Sequence, residues 1–321
     1  MKALIKLIIY CSIIYVFSLI NTYYLNDIYY KQSFIPSYKV KHKIAEQHQQ
    51  NKIIVIGGSS TNLGFDSITF EELSGINTVN LAIDASIPLR VYLQMAKENS
   101  NKGDTIILIL EEGYYHNFWD CSDSYFDCIT YSQAFVKDKN LYTRYKNLYL
   151  MKKIRGFSRL NDIFYTKLRN SFEQPSIYNG NPTNFNSHGD FIAHKGLQAT
   201  YTRKQVKGKK FTSAPTTISQ IKKFIVDCEK NGINVFISYP PIDGERRLNH
   251  IVFSNSMHND LISNFGKKYI IGYPEDFSYE EDCFFDTHQH LKYEYRSKYT
   301  KDFFEQFLEK LNIYNQIDKN K

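Results

Sequence analysis

The stretch Lys52-Ile-Ile-Val-Ile-Gly57-Gly58-Ser59-Ser60 decides the fold class of this chain. Its apolar run is short and continuous, which is typical of a strand that is buried on both faces of a parallel sheet. The two glycines that end the run permit a tight turn into a following helix. We therefore expect Ser59 to lie at the carboxyl edge of a parallel sheet, where such folds place their ligands.

Further apolar segments of similar length alternate with helical patterns. Strands are predicted at 78–83, 104–110, 234–239 and 268–271. Helices are predicted at about 67–73, 89–98, 216–230, 253–265 and 293–311. This alternation predicts an α/β fold with a doubly wound parallel sheet.

The N-terminus has the pattern of a membrane segment. Residues 3–20 are apolar except for Lys6, whose side chain can reach the headgroups from near the helix end. A spanning helix needs about 20 such residues. No small-residue cleavage site follows, so we expect an uncleaved anchor at 1–25 that exports the rest of the chain. Lysines on both sides of the segment leave its orientation undecided by charge.

The rest of the chain is predicted to contain a stalk and one domain. A polar stalk is expected at 26–50, and the domain at 51–315. An insertion or cap at about 114–213 interrupts the alternation of strands and helices and is expected to be partly helical between 133 and 172. Within it, Cys121 and Cys128 are either a disulfide of an exported domain or two unrelated thiols.

The composition indicates a folded protein and gives no sign of nucleic-acid binding. Hydrophobic residues make up 42% of the 321 residues, which is enough for a buried core. The formal net charge is +7, but the basic residues are scattered and form no nucleic-acid motif. The densest basic run, from Arg203 to Lys210, is either a solvated loop or a contact with an anionic glycan or lipid headgroups. There is no Cys-x-x-Cys pair, so a structural zinc site is not expected.

A second segment with candidate chemical groups lies near the C-terminus and reads Cys283-Phe-Phe-Asp286-Thr-His288-Gln-His290-Leu291. A serine hydroxyl is a poor nucleophile and needs a base. A histidine has a suitable pKa, and an acidic partner fixes its tautomer. We therefore expect Ser59 to be a nucleophile, His290 its base and Asp286 the group that orients the imidazole. Ser60 is the alternative nucleophile.

Each of these two segments also has a simpler interpretation. The Gly-Gly-Ser-Ser sequence fits a plain turn with a serine N-cap. The histidines fit surface positions, and His288 and His290 with Asp286 could bind a metal, although no further ligands lie nearby in the sequence. The combination of the two segments is more specific than either alone.

That combination resembles the SGNH (GDSL-like) hydrolase superfamily over about residues 50–312, apart from the inserted middle. Gly57-Gly58-Ser59 matches the first block of that family, and Asp286 with His290 matches its last block, although the family usually places the aspartate three residues before the histidine. The resemblance is closest to envelope branches that include teichoic-acid D-alanylation and polysaccharide O-acetylation proteins. It implies a flavodoxin-like three-layer sandwich, an acyl-serine intermediate, and neither cofactor nor metal.

The resemblance also implies an oxyanion hole. The N–H groups of Ser59 and of Ala85, in the second block, are expected to contribute to it. Gly113 stands where the third block would supply an asparagine, so that donor is absent, and Asn62 or a tyrosine hydroxyl is expected to replace it. Glu111 and Glu112 are not expected to replace the missing donor, because a carboxylate repels an oxyanion. Loss of one donor lowers the rate about a hundred- to a thousandfold.

The expected function is that of a membrane-anchored serine esterase or O-acyltransferase that acts on a cell-envelope polysaccharide. The domain is expected outside the cytoplasm, on a single-pass anchor. The expected partners are an envelope glycan or another ester substrate, the membrane, and other membrane proteins of polysaccharide biosynthesis, but no nucleic acid.

Two alternatives stay open. The first is an SGNH-like scaffold that has lost activity and binds glycan, which the absent third-block asparagine favours. The second is a dinucleotide-dependent oxidoreductase, suggested by the strand-turn sequence and by Tyr142-x-x-x-Lys146. Gly57, Gly58 and Gly64 do not form the Gly-x-Gly-x-x-Gly pattern of a pyrophosphate cradle, so this alternative is disfavoured.

Overall fold

The computed structural model describes residues 5–6, 8–16, 34, 36–48, 51–85, 87–116, 177–203, 210–249 and 251–319. The chain divides into two compact units, of which the first comprises Met1–Pro36 and Phe126–Asn181 and the second comprises Ser37–Tyr125 and Pro182–Lys321. In the first unit, residues 8–16 are helical, and the rings of Phe34 and Tyr178 lie 5.5 Å apart. No helix in the described ranges has both the length and the apolar character that a membrane crossing requires. Much of the predicted anchor at 1–25 lies outside those ranges.

A parallel sheet of four strands forms the centre of the second unit. The strands are β1 (Ile53–Gly57), β2 (Thr78–Asn80), β3 (Thr105–Ile109) and β4 (Asn234–Ser238), in the order β2-β1-β3-β4. All five residues of β1 are buried, as expected for an interior strand of a parallel sheet. The predicted α/β class with a parallel sheet is therefore confirmed. The strand predicted at 268–271 forms only a single bridge, between Ile270 and Ile237 of β4.

Eight α-helices, five short 3-10 helices and a second small sheet complete the described elements of the second unit. The helices are α1 (Ser37–Gln47), α2 (Ser59–Gly64), α3 (Ser67–Ser74), α4 (Leu89–Glu98), α5 (Pro215–Lys230), α6 (Gly244–Asn249), α7 (Ile251–Phe265) and α8 (Arg296–Lys319). A short parallel pair joins β5 (Ile242–Asp243) to β6 (Ser278–Tyr279). Local signals set several of these boundaries. Asp66 caps the start of α3, Gly75 ends it in the left-handed conformation, and a proline begins α5.

A buried ion pair lies at the amino end of the sheet. Lys52 Nζ lies 3.0 Å from Asp104 Oδ2, and both side chains are buried. The carboxylate of Asp104 also accepts hydrogen bonds from the backbone N–H groups of Lys52 and Asn101. Each charge therefore has a partner, which is the condition for burying charge in a protein core.

Part of the segment that was predicted to be a polar stalk is a helix of the second unit. Helix α1 lies within 26–50, and its Lys41 side chain is fully buried. Lys41 Nζ donates to Asn62 Oδ1 at 2.8 Å and to the carbonyl oxygens of Asn80 and Ala82. The polar composition of this segment therefore reflects a buried lysine with three acceptors as well as solvated residues, which the sequence pattern does not distinguish.

The predicted insertion at 114–213 is described only in part. Residues 182–203 belong to the second unit and contribute the buried carboxylate of Asp190 to its core. This carboxylate accepts from Ser67 and Asn80 and lies 3.3 Å from Arg296 Nη2. This part of the insertion is thus built into the core. The predicted helical region at 133–172 and both Cys121 and Cys128 lie outside the described residues.

Candidate active site

The turn after β1 places Ser59 at the first position of helix α2, at the carboxyl edge of the sheet. Both preceding glycines are required by close packing. A Cβ atom on Gly57 would lie 2.3 Å from the carbonyl oxygen of Ile109, and one on Gly58 would lie 2.5 Å from Glu111 Oε1. Any larger residue at either position would therefore displace the turn that presents the serine.

The segment that contains Asp286 and His290 is a tight antiparallel loop. Phe284 and Leu291 form an antiparallel bridge, and the N–H of Phe285 donates to the carbonyl of His290 at 2.8 Å. Residues 286 to 290 close the end of this loop. This geometry brings the two side chains together, even though they are separated by one residue more than in the family that the sequence resembles.

Ser59, His290 and Asp286 form a continuous chain of hydrogen bonds. His290 Nε2 lies 2.8 Å from Ser59 Oγ, and His290 Nδ1 lies 2.7 Å from Asp286 Oδ1. The side chains of His290 and Asp286 are 14% and 22% exposed, so a substrate can reach them. The other candidate nucleophile, Ser60, is buried, and its hydroxyl donates to Glu111 at 2.5 Å. The structure thus brings Ser59 to the histidine, while the Ser60 hydroxyl is engaged elsewhere.

Contacts between the start of α8 and the end of α2 bring these distant segments together. Arg296 donates from Nη2 to the carbonyl oxygen of Phe65 at 2.5 Å. The N–H of Asp66 donates to Thr300 Oγ1 at 2.9 Å. An aromatic cluster reinforces the junction, and its members are Phe65, Phe70, Phe277, Tyr299, Phe303 and Phe307. Because α8 directly follows the histidine loop, this junction sets the position of His290 relative to Ser59.

Glu111 is a buried carboxylate that holds the nucleophile turn. It follows β3, and its oxygens accept from the N–H groups of Gly58 and Ser60, both at 3.1 Å, and from the Ser60 hydroxyl. Burial raises the pKa of Glu111 above its ordinary value, and the hydrogen bonds from Ser60 oppose that shift. The carboxylate therefore fixes the positions of Gly58 and Ser60, the residues on either side of Ser59, through hydrogen bonds. The sequence excludes Glu111 as an oxyanion donor but does not reveal this role, because no local pattern shows where the side chain points.

The backbone N–H groups expected to form the oxyanion hole have no acceptor within the described part of the chain. This holds for Ser59 and for Ala85, which is exposed after β2. Asn62, in contrast, is fully buried: its amide nitrogen donates to the carbonyl of Ile83 at 2.9 Å, and its oxygen accepts from Lys41. Because both the nitrogen and the oxygen of the Asn62 amide are hydrogen-bonded in the protein interior, we no longer expect Asn62 to donate to the oxyanion.

The contacts of Asn62 and Lys41 indicate a different use for these two side chains. Together they bind the carbonyl oxygens of residues 80, 82 and 83, in the segment that leads to Ala85. The Asn80 side chain accepts from the N–H of Ala82 at 2.9 Å. Because Asn62 is part of α2, this network ties the helix that begins with Ser59 to the segment that carries Ala85.

A cavity with a volume of about 250 Å³ lies in the second unit, beyond the carboxyl ends of β3 and β4. Its wall includes His288 and Gln289, the two residues before His290. Glu112, which follows Glu111, also contributes to the wall and accepts from Gln289 Nε2 at 3.3 Å. The cavity therefore borders the loop that carries His290 and the residue that follows Glu111.

Two histidines near the site are held in the neutral form. Burial, with a smaller contribution from Arg246, lowers the pKa of His288 to about 4. Burial also lowers the pKa of His194 to about 3, and its ring stacks on Phe191 with an interplanar angle of 6°. His194 is 2% exposed, and neither of its ring nitrogens meets the geometry of a hydrogen bond to any of the described residues. No sequence signal distinguishes this histidine, which lies in the predicted insertion.

The basic run is described only at its two ends. Arg203 binds Asp243 through two nitrogens and also pairs with Glu245 and Glu281. Lys210 is exposed, and 204–209 lie outside the described residues. Arg203 is thus engaged by intramolecular carboxylates, which disfavours for this residue the alternative of a contact with an anionic glycan or lipid headgroups.

The geometry of the turn also bears on the dinucleotide alternative. The N–H groups of Gly58 and Ser60 already donate to the Glu111 carboxylate, and a second anion at that place would be repelled. Tyr142 and Lys146 lie outside the described residues. Among the residues that are described, no group of three or more His, Cys, Asp and Glu side chains is placed to hold a metal ion.

Comparison of the chain with protein-family models, with curated proteins and with solved structures gave no match. The site's own geometry therefore carries the functional argument.

Proposed function

We propose that the second unit is an SGNH-type serine esterase or O-acyltransferase. The observation that carries this proposal is the chain from Ser59 Oγ through His290 to Asp286, with hydrogen bonds of 2.8 and 2.7 Å. A hydroxyl, an imidazole and a carboxylate in this order form the triad that activates a serine in acyl transfer. We further propose that the parallel sheet is doubly wound in a flavodoxin-like three-layer sandwich, and that an N-terminal membrane helix holds the domain outside the cytoplasm.

In the proposed mechanism, Ser59 Oγ attacks an ester carbonyl while its proton passes to His290 Nε2. Asp286 accepts the Nδ1 proton in a hydrogen bond and stabilises the imidazolium. The N–H groups of Ser59 and Ala85 donate to the oxyanion of the tetrahedral intermediate. When that intermediate collapses, the ester alcohol leaves with the proton from His290, and the acyl group stays on Ser59.

The second half of the reaction releases the acyl group. An incoming hydroxyl attacks the acyl-serine carbonyl and gives its proton to His290 Nε2. Collapse of this intermediate returns the proton to Ser59 Oγ and completes the cycle. Water as the incoming group gives an esterase, and a sugar hydroxyl gives an O-acyltransferase. An envelope polysaccharide is the proposed substrate, on the basis of the resemblance of the sequence to envelope proteins of this type.

The test uses the full chain in mild detergent, because helix α1 belongs to the second unit and a fragment that starts at the predicted domain boundary, residue 51, would remove it. The protein is incubated with p-nitrophenyl acetate and, separately, with a fluorophosphonate probe, and the adduct is located by mass spectrometry. We expect the probe on Ser59, no labelling of Ser59→Ala, and much slower labelling of His290→Ala. Ser60→Ala is the matched control and is expected to keep a reactive Ser59.

Folded protein that neither reacts with the probe nor hydrolyses the ester would contradict the proposal. That result would favour the glycan-binding scaffold, which the absent third-block donor at Gly113 supports. Binding of envelope polysaccharide by the same folded protein would then be the next measurement.

A further inference from the structure

The walls of the cavity beside the histidine loop are mainly apolar. Tyr239 and Pro240 contribute from the end of β4, and Phe253 and Met257 from α7. A cavity of about 250 Å³ exceeds the roughly 150 Å³ of an engineered cavity that binds benzene. An acetyl group would fill only a small part of it. The space suits an apolar body of several carbon atoms.

One cation in the wall of this cavity lacks a partner in the described structure. Arg246 is half-buried, and within the described ranges its guanidinium forms neither an ion pair nor a hydrogen bond. Arg203, by contrast, is bound to Asp243, Glu245 and Glu281. A guanidinium prefers planar carboxylate partners, which it binds through two parallel hydrogen bonds. Arg246 is therefore available for a ligand in a way that Arg203 is not.

The other titratable groups around Arg246 set the charge that the ligand can carry. Glu112 lines the cavity and accepts from Gln289, while the nearby Asp243 carboxylate is neutralised by Arg203. His288 is held neutral, with its pKa lowered to about 4. The cavity wall thus contains the cation of Arg246 and the carboxylate of Glu112, which already accepts a hydrogen bond. A ligand with a single negative charge is favoured over a phosphate dianion, which Glu112 would repel more strongly.

The cavity is also connected to the catalytic loop through the backbone. The N–H of Asp243 donates to the carbonyl of His288 at 3.0 Å, which ties β5 to the loop that holds His290. A group bound in the cavity is therefore positioned relative to the base by a short, hydrogen-bonded segment.

We propose that this cavity binds the part of the ester substrate that joins a short apolar chain to a terminal carboxylate, with Arg246 as the residue that pairs with the carboxylate. This inference rests on the proposed function, and it narrows the substrate class to esters whose acyl or alcohol part ends in a single carboxylate.

The test compares two esters that differ only at the end of the chain. p-Nitrophenyl valerate ends in a methyl group, and mono-p-nitrophenyl glutarate ends in a carboxylate on a chain of the same length. We expect kcat/KM to be about tenfold or more higher for the glutarate ester, as a charge-assisted hydrogen bond implies. Arg246→Gln should abolish this preference, so that kcat/KM becomes the same for the two esters within a fewfold. Arg247→Gln, on the same helix but outside the cavity wall, is the matched control and should keep the preference.

A second measurement does not depend on turnover. Monomethyl glutarate, which carries a single carboxylate, is titrated into Ser59→Ala and into Ser59→Ala/Arg246→Gln, and binding is followed by calorimetry. We expect binding to the first protein and a loss of at least tenfold in affinity in the second. Equal turnover of both esters, or unchanged binding in the double variant, would overturn the inference. Binding that depends on Arg246 without turnover of any ester would uphold the cavity and contradict the proposed function.

Discussion

The two ends of the parallel sheet differ in the partners that their buried charged groups have. At the amino end, Lys52 and Asp104 lie 3.0 Å apart, are both buried, and bind each other. At the carboxyl end, the Glu111 carboxylate is held by N–H and hydroxyl donors, with no cation paired to it among the described residues, and Asp286 and His290 stay partly exposed. The charges at the amino end thus compensate each other, whereas the carboxyl end keeps polar groups exposed.

This difference distinguishes charged groups that stabilise the fold from polar groups that can still bind or react with a ligand. A buried pair whose members satisfy each other has little capacity left for a ligand, and removal of one member leaves an uncompensated charge. A buried carboxyl group held by neutral donors has a perturbed pKa, which is common at functional sites. Substitutions at the amino end should therefore change stability, and those at the carboxyl end should change activity.

The largest expected effect is on activity at the carboxyl end. Asp286→Asn should lower kcat/KM for p-nitrophenyl acetate by about a thousand- to ten-thousandfold, because the imidazole loses the acceptor that fixes its tautomer. The midpoint of thermal unfolding should change little, since Asp286 is partly exposed. Asp282→Asn, on an exposed neighbour in the sequence, is the control and should behave as the wild type. An Asp286→Asn variant within tenfold of wild-type activity would exclude the triad.

The second effect is on stability at the amino end. Asp104→Ala should lower the free energy of unfolding by about 3–5 kcal/mol, because the ammonium of Lys52 is left buried without its partner. The measurement is urea unfolding followed by circular dichroism. The double variant Lys52→Met/Asp104→Asn should recover most of that loss, since neither charge then remains and the amide oxygen can still accept a hydrogen bond from a backbone N–H group. A loss as large in the double variant would mean that the pair itself, and not the uncompensated charge, is responsible.

A smaller effect on activity is expected at Glu111. In Glu111→Gln, one of the two N–H donors at Gly58 and Ser60 faces an amide NH₂ group and loses its acceptor. We expect kcat to fall about ten- to a hundredfold, as the loss of a charge-assisted hydrogen bond implies, while KM changes little. Steady-state kinetics with p-nitrophenyl acetate would measure both. Glu72→Gln, which alters an exposed glutamate of α3, is the control, and equal kinetics in the two variants would contradict the role of Glu111.

The smallest effect is the dependence of stability on pH at Glu111. Burial raises the pKa of this carboxyl in the folded state, so between its ordinary and its raised pKa the folded protein holds a proton that the unfolded chain has released. The contribution of Glu111 to the free energy of unfolding is therefore largest at low pH and falls as pH rises through that window. Urea unfolding of wild type and Glu111→Gln at several pH values would isolate this contribution. Parallel curves for the two proteins would show that the pKa of Glu111 is not raised.

The elements that the sequence predicted well are those set by local patterns. The buried run before Gly57 is β1, and helix α4 spans the predicted residues 89–98, because apolar spacing and turn residues act over a few positions. The strand expected at 268–271 is reduced to one bridge, and the stalk includes helix α1. Both differences arise from contacts with residues that are distant in the sequence, which local patterns do not contain.

The sequence by itself determined that this protein has an α/β fold and that Ser59 follows the first strand in a turn that requires glycine. It also determined that an aspartate and a histidine lie within five residues near the C-terminus. Only the tertiary structure decided that these groups meet, because the hydrogen bonds of Arg296 and Asp66 join segments more than 200 residues apart. It also decided the contacts of Glu111 and Asn62 and the position of Arg246 in the cavity wall, since the surroundings of a polar side chain depend on which distant groups the fold places around it.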